Sequence, residues 1–226
     1  GPVTTSRLSP HLRFGEISPH QIWAEVDRTL PADAEKNKAK FLSEVGWREF
    51  SYNILFHFPE LHNKNFRPEF DQFPWGDVEP PLLKAWQKGM TGVPLVDAGM
   101  RELWHTGYMH NRVRMVVASF LIKNMLVDWR VGEAWFWDTL VDADEANNPA
   151  SWQWVAGSGA DAAPYFRVFN PMLQAEKFDP QQEYIKRWVP EFGTPDYPSE
   201  PIVDLKASRD RALQAFDELK ALRQPS

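Results

Sequence analysis

The 226-residue chain contains no cysteine, which excludes disulfide bonds, thiolate catalysis and cysteine-based zinc sites. No apolar run approaches the roughly 20 residues that a membrane-spanning helix needs. The first residues also lack the apolar segment of a signal peptide. Strand signals are nearly absent, and there are no repeats or low-complexity tracts. We therefore expect an all-α protein that is not bound to a membrane and resides in the cytoplasm.

Basic residues are not in excess either. The formal net charge is -6, the wrong sign for a protein that coats nucleic acid without specificity. Any contact with DNA must therefore come from a local cluster of basic side chains. The six histidines show no spacing typical of metal ligands, so we predict no metal site.

Helix-start signals and apolar periodicity predict a single helical domain over 1–226. Ser9-Pro10 and Ser18-Pro19 each combine a capping hydroxyl with proline at the first helical position. Helices are predicted over 33–57, 82–88, from Pro94 to near Gly107, 111–127, 132–140, 149–155 and 181–188, followed by a last helix that Ser208 caps. The core face of the first long helix is predicted to hold Phe41, Val45, Phe50, Ile54 and Phe58. Residues 61–81 and most of 169–201 are predicted to be loop.

Two local patterns allow two interpretations each. The hydroxyls of Thr4, Thr5, Ser6 and Ser9 lie beside a helix start, where they suit either a phosphate group or a plain N-cap. Gly46 beside Trp47 leaves room for a flat ligand or for close packing of another helix. The pattern G-x-G-x-x-A at 157–162 does not indicate a dinucleotide-binding fold, because no strand precedes it.

Eleven tryptophans are an unusual number, and most must be core because an indole buries a large apolar area. Between Met109 and Pro171, however, tryptophans alternate with many charged and amide side chains. Buried polar groups need partners. This density therefore predicts a site for a polar ligand with aromatic parts, without identifying the ligand.

Five separated motifs resemble those of the photolyase/cryptochrome family, in particular its cyclobutane pyrimidine dimer photolyases. They are TSRLSPHLRFGEIS, EVGWREF, TGYMHNRVRM, DADEANNPASWQW and DAAPYFRVFNP, in that order, and the match runs from Thr5 to about Pro180. The resemblance implies the family's all-helical FAD-binding domain, with 181–226 as its C-terminal extension. It also implies that the N-terminal α/β domain, which usually carries the antenna pigment, is missing, so this chain is expected to bind no antenna chromophore.

The resemblance implies FAD as the cofactor and assigns residues to it. Those that match cofactor contacts are Thr5, Ser6, Leu8, Ser9, Phe41, Arg114, Asp142, Asp144 and Asn148. Arg114 and Asp142 match an ion pair beside the isoalloxazine, and Asn148 matches the position that faces flavin N5. Phe41 stands where many family members have a tryptophan. Charges near the flavin tune its electronic properties, which is the protein's share in a cofactor reaction.

The resemblance also implies a lesion site and a path for electrons. Residues that match the lesion site are Glu44, Trp47, Asn111, Met115 and Trp154, and those that match DNA contacts are Arg48, Arg112, Arg167 and Gln174. Trp152, Trp129 and Trp75 match a chain of indoles that passes electrons to the flavin. The implied function is light-driven repair of cyclobutane pyrimidine dimers in DNA. The alternative is a cryptochrome-type photoreceptor that uses the same flavin and tryptophans to signal.

Overall fold

The computed structural model describes residues 5–31, 34–77, 79–162 and 166–222. Within these ranges every regular element is a helix and no strand occurs, which confirms the all-α prediction. The α-helices are α1 (Ser9–Arg13), α2 (Pro19–Thr29), α3 (Glu35–His57), α4 (Pro80–Lys88), α5 (Pro94–Thr106), α6 (Asn111–Ser119), α7 (Trp129–Thr139), α8 (Asn147–Ala156), α9 (Pro171–Phe178), α10 (Glu183–Trp188) and α11 (Leu205–Ala221). In the described part of the chain, no helix is long and apolar enough to cross a membrane.

The two Ser-Pro signals have different outcomes. At α2 the Ser18 hydroxyl accepts from the Gln21 amide at 3.2 Å, and the Gln21 side chain accepts from the Ser18 amide at 2.8 Å. This reciprocal cap confirms the predicted start. Helix α1 begins at Ser9, but the prediction that Ser9 caps it is wrong. Leu8 occupies the cap position in a helical conformation, and the Ser9 hydroxyl instead bonds to Asp142.

Helix α3 is buried along a narrower face than predicted. Val45 and Ile54 are buried, but Phe50 and Phe58 are 41% and 48% exposed, so their assignment to the core is wrong. Phe50 borders a cavity, and Phe58 lies at the helix end against the Phe66 ring. Among the described residues, no atom lies within 4 Å of a Cβ built on Gly46, so close packing of another described helix is not the reason for this glycine. The predicted start at position 33 lies outside the described residues.

The central core forms around α5 and α6. Helix α5 is buried along most of its length, and the apolar side of α6 packs Val113, Val116 and Val117 against it. The prediction of one helix over 111–127 is wrong in its second half. The chain widens into a π-helix at Phe120–Asn124, and a positive φ of 54° at Leu126 ends the helical stretch.

The remaining differences concern helix ends and segments predicted as loop. Helices α7 and α8 begin earlier than predicted, α4 begins at Pro80, and a 3₁₀ helix occupies Pro68–Gln72. Helix α9 was not predicted, although Asn170 caps it by accepting from the amides of Met172 and Leu173. Ser208 does not cap the last helix. Asp204 does so, and Ser208 is buried within α11.

Candidate functional site

A cavity of about 680 Å³ opens between α1, α3, α6, α7 and α8. Ligand sites commonly have volumes of this order. Most of the predicted site residues line it: Thr5, Ser6, Leu8, Ser9, Phe41, Glu44, Trp47, Arg48, Asn111, Arg112, Arg114, Met115, Asp142, Asp144, Asn148, Trp152 and Trp154. The cavity lining does not include Trp75, Trp129, Arg167 or Gln174. Residues spread over 150 positions of the chain thus border one space.

A fixed ion pair forms part of the cavity wall. The Arg114 guanidinium donates two parallel hydrogen bonds to Asp142, at 3.0 and 2.8 Å, and a third from Nε to the Met109 carbonyl at 2.6 Å. Asp142 also accepts from the Ser9 hydroxyl at 2.6 Å. Bidentate pairs of this kind hold both groups in one geometry. The pair therefore joins α1, α6 and the segment before α8 at a single point.

Asp144 is buried beside this pair. Its carboxylate accepts from the amides of Ala146 and Asn147 at 2.9 and 2.6 Å, and from the Asn147 side chain at 2.9 Å. These amides belong to the start of α8, whose positive end favours a carboxylate. Asp144 thus fixes the start of the helix that carries Asn148, Trp152 and Trp154.

Hydrogen bonds to Glu133 set the orientation of the Asn148 amide. Its Nδ2 donates to the Glu133 carboxylate at 2.8 Å and to the Glu133 carbonyl at 3.1 Å. With both donors of Nδ2 facing Glu133, the amide oxygen Oδ1 is left as an acceptor. Burial raises the pKa of the Glu133 carboxyl, and the hydrogen bond from Asn148 opposes that rise. Glu133 was not predicted, because nothing in its local sequence relates it to a residue 15 positions later.

Two indoles from different helices border the outer part of the cavity. Trp47 of α3 is 49% exposed and contacts the Phe50 ring edge-to-face, with centroids 5.7 Å apart. Trp154 of α8 packs against the central core. Glu44 lies one turn before Trp47 and forms an ion pair with Lys40. This region is therefore aromatic, carries an acid and is open to solvent.

The basic side chains near this opening are held by neighbouring rings. The Arg48 guanidinium lies 4.5 Å from the centroid of the Tyr52 ring and pairs with Glu49 at 2.5 Å. Arg112 lies 4.8 Å from the centroid of the Phe178 ring. Contacts of this kind orient a guanidinium without removing its charge. Two guanidinium groups therefore lie near the opening, that of Arg48 paired with a carboxylate.

Another part of the cavity wall is formed by the segment before α1. Arg7 adopts a φ of 54°, which non-glycine residues rarely do and which often marks a functional site. Its guanidinium lies 5.3 Å from the centroid of the Tyr108 ring, and the Tyr108 hydroxyl bonds to that of Thr5 at 3.3 Å. Tyr108 lines the cavity and was not predicted.

Of the three predicted electron-transfer tryptophans, one lines the cavity and two do not. Trp152 lines the cavity, and its ring lies against Gly132, three residues after Trp129 on α7. Trp129 is fully buried and donates from its indole nitrogen to Asn65 at 2.9 Å. Trp75 contacts the Phe73 ring with centroids 4.4 Å apart. All three belong to the same packed core, as members or at its edge.

Comparison with known proteins identifies the fold. Residues 41–195 match the family described as the FAD binding domain of DNA photolyase. Deoxyribodipyrimidine photo-lyase of Agrobacterium fabrum is 53% identical over 241 residues, covering 96% of this chain and 50% of that protein. Cryptochrome-2 of Arabidopsis thaliana is 44% identical over 200 residues, covering 84% of this chain and 32% of that protein. The crystal structure of a class III photolyase from Agrobacterium tumefaciens is 51% identical with a TM-score of 0.88, covering 97% of this chain and 50% of that one.

The fold is therefore that of a helical flavin-binding domain. The chain belongs to the DNA photolyase family and comprises its FAD-binding domain, and FAD is its expected cofactor. It spans about half the length of the photolyases that it matches. The cavity fits such a cofactor, since it combines hydroxyls at Thr5 and Ser6, a fixed guanidinium at Arg114 and the Asn148 amide oxygen with apolar walls.

Proposed function

We propose that this chain binds FAD and a cyclobutane pyrimidine dimer of DNA in the same cavity and repairs the dimer when illuminated. This proposal rests on one observation, which is that two sets of residues line the same cavity. Residues matched to the cofactor and residues matched to the lesion border one space rather than two. When bound, reduced FAD supplies an electron to the dimer after absorbing light and recovers it once the ring has opened.

The inner half of the cavity holds the cofactor in this proposal. Thr5 and Ser6 bind the phosphates, while the Arg114–Asp142 pair lies beside the ring system and places a charge that does not move. Asn148 accepts a hydrogen bond through Oδ1 because Glu133 holds its Nδ2. A fixed acceptor stabilises a ligand nitrogen that carries a proton, and it disfavours one that carries only a lone pair. The chain's own residues thus favour a reduced, protonated flavin ring.

The outer half receives the lesion. Trp47 and Trp154 stack against the two bases, a contact worth about 1–3 kcal/mol per base. Glu44 accepts from a base edge, and it exchanges its partner Lys40 for the lesion at little cost because both are exposed. Photolyases extrude the damaged dinucleotide from the duplex, and a dimer that stacks poorly costs less to extrude than intact bases. Arg48 and Arg112 bind the phosphates, so binding should weaken as salt concentration rises.

Two residues of the lesion site favour the cyclobutane dimer. Enzymes of this family that repair the (6-4) photoproduct carry histidines at the positions of Asn111 and Met115. These residues are one helical turn apart at the start of α6, and both line the cavity. An amide and a thioether form a wall without an acid or base, which suits a ring opening that needs no proton transfer.

A repair assay tests the proposal. The FAD-loaded, chemically reduced chain is illuminated with an oligonucleotide that contains one dimer, and the remaining dimer is quantified by chromatography. Repair should require light, and Trp47→Ala should weaken binding of the dimer about 5- to 150-fold, the loss of 1–3 kcal/mol of stacking. Trp104→Ala is the matched control, because Trp104 is 66% exposed and stacks on Trp135 away from the cavity lining. Intact dimers after illumination of reduced protein would refute the proposal.

A further inference from the structure

Lys123 is a buried lysine to which the proposed function assigns no role. It lies in the π-helix between α6 and α7 and is 1% exposed. Its ammonium donates to the Arg167 carbonyl at 3.3 Å and lies 3.2 Å from the centroid of the Phe166 ring. Among the described residues, no carboxylate lies within ion-pair distance of it. Within the described part of the chain, its recorded polar and ring contacts are with the Arg167 carbonyl and the Phe166 ring.

This arrangement costs stability. Transfer of an ammonium into the interior carries a large desolvation penalty, and burial lowers the pKa of Lys123 well below its usual range. A methionine would fill a similar volume without a charged atom. Packing alone thus does not explain why a lysine occupies this position. The hydrogen bond from Lys123 to the Arg167 carbonyl does explain it.

A second tether joins the same two parts of the chain. The Ser119 hydroxyl, also fully buried, accepts from the Phe169 amide at 3.2 Å. Ser119 precedes Lys123 by four residues, so one side of this helical stretch holds 166–169 at two points. The held segment has no regular structure of its own. Its position therefore depends on contacts with its surroundings rather than on hydrogen bonds within it.

The held segment carries a residue matched to DNA contact. Arg167 is exposed, and its guanidinium lies 5.4 Å from the centroid of the Phe169 ring, the ring at the second tether. The lysine thus fixes the Arg167 main chain from the interior, while the side chain points outward. We infer that Lys123 is a positioning residue that holds Arg167 in place for binding of the DNA backbone, an inference that rests on the proposed function.

The test compares Lys123→Met with Lys206→Met, which makes the same substitution at an exposed site on α11. Both variants are used loaded with FAD. In the absence of DNA, trypsin should cleave after Arg167 about tenfold faster in Lys123→Met, because cleavage reports how often the segment opens. Thermal stability should be unchanged or higher, which a purely structural lysine would not permit. Affinity for a dimer-containing duplex should fall about fivefold, the loss expected for one ordinary hydrogen bond.

The double variant Lys123→Met/Arg167→Ala decides whether the lysine acts through the arginine. It should bind DNA no more weakly than Arg167→Ala alone. Losses that multiply, or a Lys123→Met protein with wild-type cleavage and affinity, would overturn the inference. If the wild type itself fails to bind dimer-containing DNA, the proposed function is wrong, and the cleavage rate alone decides whether Lys123 holds the segment. If Lys123→Met does not fold, Ser119→Ala must show the same faster cleavage for the inference to stand.

Discussion

Replacement of Gly132 by alanine tests how closely α7 packs against α8 beside the cavity. A Cβ at this position would lie 2.2 and 2.4 Å from two ring carbons of Trp152, and 2.7 Å from a methyl group of Leu121. All three distances are far shorter than van der Waals contact. The Trp152 ring is 2% exposed and rigid, so it can make room only by moving as a whole.

The size of the effect follows from two opposing contributions. Alanine improves helix propensity by about 1 kcal/mol over glycine. Overpacking a core costs about 1–3 kcal/mol, and contacts this short with a rigid ring belong at the upper end. We therefore expect Gly132→Ala to destabilise the protein by about 2 kcal/mol. For a chain of this size, that lowers the thermal midpoint by about 4–8 °C.

The assay is thermal unfolding with and without FAD, together with the flavin content after purification. Because Trp152 lines the cavity, displacement of its ring should also reduce flavin content. Gly46→Ala is the matched control, since a Cβ on Gly46 meets no atom of the described residues within 4 Å and should raise stability by about 0.5–1 kcal/mol. An unchanged or higher midpoint in Gly132→Ala, with full flavin content, would refute this account of the packing.

Three further predictions follow from named contacts. Burial raises the pKa of the Glu133 carboxyl in the folded protein. Protonated Glu133 therefore contributes its full stabilisation at pH values below the ordinary carboxyl pKa, and this contribution is lost as the pH rises through the raised pKa. Glu133→Gln should flatten that part of the pH dependence of the unfolding free energy, and an identical pH profile would contradict this. The buried Asp97 carboxylate accepts two hydrogen bonds from Thr91 and one from Tyr197 at 2.6–2.7 Å. Asp97→Asn would place an amide donor against these donors, so it should lower the free energy of unfolding, measured with denaturant, by about 3 kcal/mol. Trp152→Phe should suppress photoreduction of oxidised flavin while sparing repair by chemically reduced protein, whereas equal photoreduction would remove Trp152 from the electron path.

The parts of the fold that were predictable depend on contacts within a few residues. The reciprocal cap at Ser18 needs only Gln21, and the buried side of α6 follows from the spacing of Val113, Val116 and Val117. These interactions form wherever the segment is helical. Local sequence is therefore sufficient to predict them.

The parts that were not predictable depend on distant partners. Ser208 has the appearance of a helix cap, but Asn124 donates to its hydroxyl from 84 residues away, within the core. Ser9 bonds to Asp142 across 133 residues, so its hydroxyl does not cap α1. In both cases the tertiary contact outweighs the local preference of a serine.

The candidate site also has a part that the sequence predicts and a part that it does not. Residue chemistry alone predicts a polar ligand with aromatic parts, and only the resemblance to a family assigns individual roles. Even the resemblance did not point to Glu133 or Tyr108, which hold Asn148 and the segment before α1 in place. Such supporting residues have no local sequence pattern, because their role exists only once the helices have packed.

The measurement that tests the central claim most directly is the fluorescence lifetime of the reduced flavin in the FAD-loaded chain. If the cofactor and the dimer occupy one cavity, adding an oligonucleotide with a single dimer shortens the lifetime by electron transfer. The same oligonucleotide without the lesion leaves it unchanged. An unchanged lifetime in protein shown to have bound the damaged DNA would contradict the account, because the lesion would then lie too far from the flavin to receive its electron.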